Sequence, residues 1–341
     1  MLEDISLFRY QLPLCTALKM GGQLHKQREG LLLRLTGSDG FVGWGEIAPL
    51  RGFSRETIPD VLLQLAHLRA KNNPNPPPLP LGAWYPSVKF GLDSAFSEIR
   101  AKKSNTPRYN PEHQTVVLNL LLAGSPENIL RRAELAKNLG YRAIKLKVGQ
   151  QKPAEDAALI REVAAGVGNS CTIRLDANRA WSLKDALRFA EYLQGVRIEY
   201  IEEPLKSSRF LPDFALQTGL PIALDEGLRD KSWEKLQKTS FRPAALIYKP
   251  MLSARPAKWY SDSGIPVVIS SSFESGVGMQ ALIALATEVC VPNTPIGLDT
   301  YNWLQEDVLL PRLPMDAPQV ALKTVFDPQY QVQMTKITRC D

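Results

Sequence analysis

The sequence predicts an α/β protein: a parallel barrel of alternating strands and helices behind a smaller N-terminal α+β domain. Three observations carry that expectation. From about residue 115, short runs rich in Val, Ile and Leu recur with helical patterns between most of them, as strands buried on both faces should. Residues 1 to about 103 instead alternate apolar and polar positions and then turn helical. Finally, polar residues of the second half gather at the ends of the strand runs, where a βα barrel builds its active site. A chain of 341 residues suits one large domain and one smaller one.

The first domain, residues 1–108, opens with "SLFRYQLPL" and "GLLLRLTGSDGFVGWGEIAPL". Both alternate, and "SDG" is the turn between two strands. "SRETIPDVLLQLAHLRA" has the spacing of an amphipathic helix, with Ser54 as its cap. "NNPNPPPLPLG" at 72–82 reads as a stiff extended connector. "SVKFGLDSAFSEIRAKK" reads as a second helix, and the polar stretch at 104–114 marks a boundary.

Residues 109–318 hold the barrel. Its expected strands are 115–122, 143–148, 172–177, 198–204, 221–226, 245–250, 266–272 and 295–300. An open doubly wound sheet is the alternative. No G-x-G-x-x-G follows any strand, and "SGVG" at 275–278 is the nearest approach to one. The tail 319–341 alternates again in "FDPQYQVQMTKI", which predicts its return as a strand on the N-terminal domain.

Composition narrows the function. The net charge is +6 and the pI about 9.0, which favours anionic partners. The basic residues are scattered, and the densest runs, "HKQREG" and "RAKKS", lack interleaved aromatics. A small carboxylate substrate fits that pattern better than nucleic acid. No apolar stretch reaches the roughly 18 residues of a membrane span, and the N-terminus lacks a signal-peptide layout, so no membrane partner and a cytoplasmic location are expected. Cys15, Cys171, Cys290 and Cys340 stand apart, with Cys171 and Cys290 expected in the core. His25, His67 and His113 flank no nucleophile.

The strand ends carry the chemistry. Asp176, Glu202 and Asp225 end three successive strands, at intervals of 202−176=26 and 225−202=23 residues. Three carboxylates converging on one rim repel unless a cation joins them, and Mg²⁺ suits oxygen ligands. Glu203 and Glu226 directly follow two of them, and neighbours in a strand face opposite ways. Glu202 shares the phase of Tyr200, but the choice between the neighbours rests mainly on the resemblance given below. Lys145 and Lys147 share one strand face, their Cα atoms ~6.5–7 Å apart. Each ammonium lowers the other's proton affinity, which suits general-base work. Lys249 ends a strand across the barrel. Arg174 shares the inward face of Asp176, as a partner for the carboxylates or an anchor for an anionic substrate, and Asn178 continues that face. The "SSSFESG" loop offers hydroxyls and N–H groups for a carboxylate.

The series K-x-K, D-x-N, E-E-P, D-E and K-P at successive strand ends resembles the enolase superfamily and its muconate-lactonizing group. The runs "GEIAPLRGFSRET", "RLDANRAW", "ISSSFES" and "GLDT" are similar to those of the o-succinylbenzoate synthases in that group. The resemblance covers nearly the whole chain. It implies a modified (β/α)7β TIM-like barrel with an N-terminal capping domain completed by the C-terminal tail. It implies Mg²⁺, with Mn²⁺ as a substitute, on Asp176, Glu202 and Asp225. It also implies Lys147 as acid/base, Lys249 as the cation opposite, and Lys145 as the residue that tunes Lys147. Arg174, Ser270 and Gly297 fall at substrate positions, and "LKMGGQLHKQREG" at a mobile loop near the entrance.

The implied reaction is dehydration of 2-succinyl-6-hydroxy-2,4-cyclohexadiene-1-carboxylate to o-succinylbenzoate through an enediolate, within menaquinone or phylloquinone synthesis. A Lys base with Mg²⁺ stabilising an enediolate is general to the superfamily. Tyr248 and Arg51 stand where that family varies, and Tyr248 is expected to face outward. The residues leave two other readings open. One is an N-acylamino acid racemase or dipeptide epimerase using both lysines as bases; the other is a non-catalytic barrel that binds ligands. A monomer is compatible with all three, and the oligomeric state is open.

Overall fold

The computed structural model describes residues 2–20, 22–70, 84–230, 232–253 and 255–340. The expected connector at 72–82 lies outside them. The N-terminal sheet consists of β1 (Leu2–Met20), β2 (Gln23–Gly37) and β3 (Val42–Ile47), antiparallel in that order. The run Leu31-Leu32-Leu33-Arg34-Leu35 shows why β2 is so apolar. Leu31, Leu33 and Leu35 pack with Val61, Val88, Ala95 and Ile99 of two covering helices. Leu32 points the other way, into a cluster shared with the barrel. Strand alternation thus puts one face of the sheet on its own helices and the other on the second domain.

The covering helices are α1 (Ile58–Ala70) and α2 (Pro86–Ser104). The first begins later than its periodicity suggests. Thr57 and Asp60 form the reciprocal cap, with Thr57 N donating to Asp60 Oδ2 at 2.9 Å and Asp60 N to Thr57 Oγ1 at 3.4 Å. Ser54 instead accepts from Leu50 N, closing the turn before it. Glycines let α2 press onto the sheet: a Cβ on Gly45 would lie 1.9 Å from the Gly91 carbonyl oxygen.

The run 115–122 is broken into β4 (Thr115–Val117) and β5 (Leu120–Leu122) at the buried Asn119. Then come β6 (Ala143–Lys147), β7 (Thr172–Asp176), β8 (Tyr200–Glu202), β9 (Ile222–Leu224), β10 (Ala245–Tyr248) and β11 (Val267–Ile269). Strands β5 to β11 form one parallel sheet in sequence order. The eighth expected strand, 295–300, forms no ladder. It closes the barrel through isolated bridges, Leu118 with Ile296 and Ser270 with Gly297, and then enters a 3-10 helix at Asp299–Trp303. Tyr200, Ala223, Ala245, Ile247 and Val268 fill the barrel interior. Tyr248 faces outward and stacks on Tyr260, ring centroids 3.9 Å apart.

The tail divides. β12 (Leu309–Leu310) is followed by β13 (Gln319–Ala321), which pairs with β4 on the barrel side. β14 (Gln331–Val332) pairs with β12, and β15 (Ile337–Cys340) adds antiparallel to β1. The return to the first sheet is therefore made by the last residues, not from 319 onward. Cys171 is buried as expected, but Cys290 is only partly covered. Among the described residues no helix is long and apolar enough to cross a membrane.

The packing makes two predictions. Gly45→Ala should cost about 2–3 kcal/mol, because the new methyl meets backbone that cannot yield; an unchanged urea midpoint would contradict this. Glu274, buried at the domain seam, has its carboxyl pushed up to about 7 by burial, then by Glu46 nearby. The folded value lies above that of the unfolded chain. The neutral form's stabilisation is therefore complete below about pH 4 and is lost as pH rises through about 7. Glu274→Gln should flatten stability between about pH 5 and 8, measured by denaturant titration at both ends; an unaltered slope would contradict it.

Candidate active site

Barrel register lines up the site. Lys147 is paired with Asp176, and Asp176 with Glu202, across β6, β7 and β8. Glu202 is paired with Ala223, so Asp225, two residues on, continues the row. In a parallel sheet, paired residues share a face. The three carboxylates therefore meet on the inner rim at the C-terminal ends of adjacent strands, and all three are buried.

The lysines answer them. Lys145 Nζ lies 2.7 Å from Glu202 Oε2 and 3.2 Å from Asp176 Oδ2. Lys249 Nζ lies 2.5 Å from Asp225 Oδ2. Burial alone would strip the proton from Lys145, but Asp176 and Glu202 outweigh it and raise its pKa. Lys249 behaves the same way beside Asp225. Burial pushes Asp176 up, yet Lys145, Lys147 and Lys249 together hold it at about 2. Glu202 is driven up to about 7 by burial, which Lys145 opposes and Asp176 reinforces. Asp225 ends below the usual range, with Lys249 and Arg229 overcoming burial.

Lys145 is therefore a counter-ion to two carboxylates. It was expected to tune Lys147, and the structure adds that its own ammonium is paired with Asp176 and Glu202. Lys147 is exposed at the rim, and its Nζ donates to Asn178 Oδ1 at 2.8 Å. Asn178 Nδ2 donates in turn to Glu226 Oε1 at 3.2 Å. Asn178 sits in the left-handed region, φ 42°, a conformation that asparagine tolerates.

The neighbouring acids have other work. Glu203, φ 40°, turns away from the barrel interior. It accepts from Asp225 N at 3.0 Å, Gly227 N at 2.6 Å and Arg179 Nε at 2.9 Å, fixing the turn that carries Asp225. Glu226 is pushed up to about 7 by burial and then by Asp225.

Arg174 lies inside the barrel, 1% exposed. Its Nε and Nη2 donate to Glu199 at 2.9 Å each and its Nη1 to the Pro295 carbonyl at 2.6 Å, with the guanidinium over the Tyr200 ring. Every nitrogen of the guanidinium is engaged there; of the two expected roles, carboxylate partner or substrate anchor, this geometry displays a carboxylate partner, Glu199. Ser270 and Gly297 come together: a Cβ on Gly297 would meet Ser270 Oγ at 3.0 Å and Asn119 Oδ1 at 3.3 Å. Sequence reasoning missed Asn119, although a lone amide inside "TVVLNLLL" is its signal.

A hard divalent cation fits this donor set. Among the described residues Asp225 Oδ1 is buried without a hydrogen bond, and the Arg229 guanidinium lies 3.4 Å away. Three adjacent carboxylates supply the anionic oxygens such a cation takes. Among the described residues no three metal-binding side chains close on a common point. In this arrangement the lysine ammonium groups lie against the carboxylates instead.

A family described as "Enolase C-terminal domain-like" matches residues 128–238, and one described as "MenC, N-terminal domain" matches residues 2–99. The chain is 33% identical to the o-succinylbenzoate synthase of Haemophilus influenzae, over 95% of this chain and 98% of that protein. It is 32% identical to the o-succinylbenzoate synthase of Pasteurella multocida, over 96% and 97%. Its fold matches a dipeptide epimerase from Cytophaga hutchinsonii, solved with Mg and the dipeptide D-Ala-L-Val, with a TM-score of 0.80 and 19% identity over 100% of this chain and 99% of that one.

The lysine–carboxylate pairing makes a prediction. Lys145→Met leaves two buried carboxylates without their ammonium. It should lower unfolding free energy in chelator by about 3–5 kcal/mol, read by urea titration; a midpoint equal to the parent's would show that the pair carries no such weight.

Proposed function

The chain belongs to the o-succinylbenzoate synthase family within the enolase superfamily and is a lyase of that family; from that premise we propose how its residues act. The substrate is 2-succinyl-6-hydroxy-2,4-cyclohexadiene-1-carboxylate, and the product, o-succinylbenzoate, enters menaquinone or phylloquinone synthesis. Asp176, Glu202 and Asp225 would hold the divalent cation, Mg²⁺. When bound, the cation supplies positive charge beside the ring carboxylate as negative charge builds there. The observation that carries this reading is the in-register row Lys147–Asp176–Glu202, which sets a lysine next to the metal-binding carboxylates.

Lys147 takes the proton from the ring carbon that bears the carboxylate. Its hydrogen bond to Asn178 holds the ammonium at the rim. Lys147 then returns that proton to the departing hydroxyl, which leaves as water, and the ring becomes aromatic. One residue serves both steps when proton and hydroxyl leave from the same face. Lys249 supplies positive charge on the opposite side. Its ammonium is held by Asp225 at 2.5 Å, and this favours a fixed cation over a second base. Ser270, Gly297 and Asn119 form a small polar corner suited to the succinyl chain. Arg174 supports the rim from below through Glu199.

The test is turnover. With Mg²⁺ the purified protein should form aromatic product, seen by ultraviolet absorbance, and chelator should abolish it. Lys147→Ala should lower kcat by about 10³-fold or more while cation binding persists. Absence of product with Mg²⁺ present, or full activity in the alanine variant, would refute the assignment.

A further inference from the structure

The geometry points to Glu46 and Arg28, two residues of the N-terminal domain, as positioning residues for the barrel loop that carries Ser270, Ser271 and Ser272. In its kinetic arm the inference rests on the synthase reading.

Glu46 lies on β3 and is 0% exposed. Both carboxylate oxygens accept from Ser275 N at 3.0 Å, and Oε2 also accepts from Gly278 N at 2.9 Å. The hydroxyls of Ser275 and Tyr10 donate to it as well. Ser275 stands at the N-cap of the helix Gly276–Val289, yet its side chain does not cap that helix. Its hydroxyl points to Glu46, and Glu46 takes the N–H groups of Ser275 and Gly278, while Asp307 Oδ1 accepts from Gly276 N at 2.8 Å. A carboxylate from another domain thus shares the capping with Asp307, where the helix dipole favours negative charge. Gly278 makes room: a Cβ there would come within 2.6 Å of Glu46 Oε2.

Arg28 works from β2 and is also buried. Its Nε donates to the Phe273 carbonyl at 3.1 Å. Its other nitrogens reach the carbonyls of Glu29, at 3.2 Å, Pro49, at 2.8 Å, and Ala48. Phe273 is held in the left-handed region, φ 64°, with its N–H on Thr300 Oγ1 at 3.2 Å. Strain of that kind persists where surroundings over-determine it. Residues 273 and 275 are therefore clamped from the first domain, directly beside 270–272. Ser270 faces Gly297, and Ser271 Oγ donates to the Gly297 carbonyl at 3.1 Å. The seam sets the position of the substrate-side loop.

Glu56 is the internal control. It is buried too, but accepts from Ser87 N at 3.1 Å and Ser87 Oγ at 2.7 Å, wholly inside the first domain. Losing it should cost stability without moving the barrel loop. Glutamine at 46 offers one acceptor and presents an NH₂ to donors. Glu46→Gln in the full chain should therefore raise KM by about tenfold or more, with kcat within about threefold. Hydrogen exchange should accelerate across 270–280 and not elsewhere. Glu56→Gln should lower Tm with KM and exchange at 270–280 unchanged. Ser275→Ala, which removes one hydroxyl, gives a milder version of the Glu46 result and decides the matter if Glu46→Gln does not fold.

Equal KM effects in the Glu46 and Glu56 variants, or exchange that rises evenly over the chain, would overturn the inference. If the parent protein turns over no substrate, the synthase reading fails while the exchange comparison still decides this one.

Discussion

The structure depends on cancelling charge at the mouth of a barrel. Asp176, Glu202 and Asp225 are brought side by side by strand register and buried there. Three buried carboxylates are tolerable only beside positive charge. Lys145 and Lys249 provide it, at 2.7 and 2.5 Å from their carboxylate partners. Glu202 is still driven up to about 7 by burial, with Lys145 opposing and Asp176 reinforcing the rise. A divalent cation would add positive charge to the same three carboxylates.

Around this cluster the fold assigns separate tasks to neighbouring residues. Glu202 and Glu203 are adjacent in sequence yet face opposite ways. The first faces Lys145, and the second fixes the backbone of Asp225 and Gly227. Lys145 and Lys147 share a face but not a setting. One is locked to carboxylates, while the other is exposed and donates to Asn178. The acid/base role proposed for Lys147 fits the second setting, because such a group needs freedom to exchange its proton. The contrast between them is set by depth on one short strand.

Much of this was legible because β-strand alternation is a strict rule. The K-x-K phase, the spacing of the carboxylates one βα unit apart and the outward Tyr248 came from counting residues, while the choice of Glu202 over Glu203 rested mainly on the family resemblance. What was not legible depends on contacts far apart in sequence. Glu46 meets Ser275 across 229 positions, and Arg174 takes Glu199 and Pro295 as partners, so no local pattern announces either. The run 295–300 looks like a strand, but its pairing with the neighbouring strands is reduced to isolated bridges to Leu118 and Ser270. Ser54 looks like a helix cap, but the reciprocal pair lies at Thr57 and Asp60. Cap choice is decided by which side chain reaches the first free N–H, and residue type alone does not settle that.

The central claim is that one rim of carboxylates and lysines would place a cation and Lys147 on the same substrate. A crystal structure with Mg²⁺ and o-succinylbenzoate bound tests it most directly. The account predicts the cation on Asp176, Glu202 and Asp225, in contact with the ring carboxylate, with Lys147 and Lys249 on opposite faces of the ring. A cation held by other residues, or both lysines on one face, would contradict it.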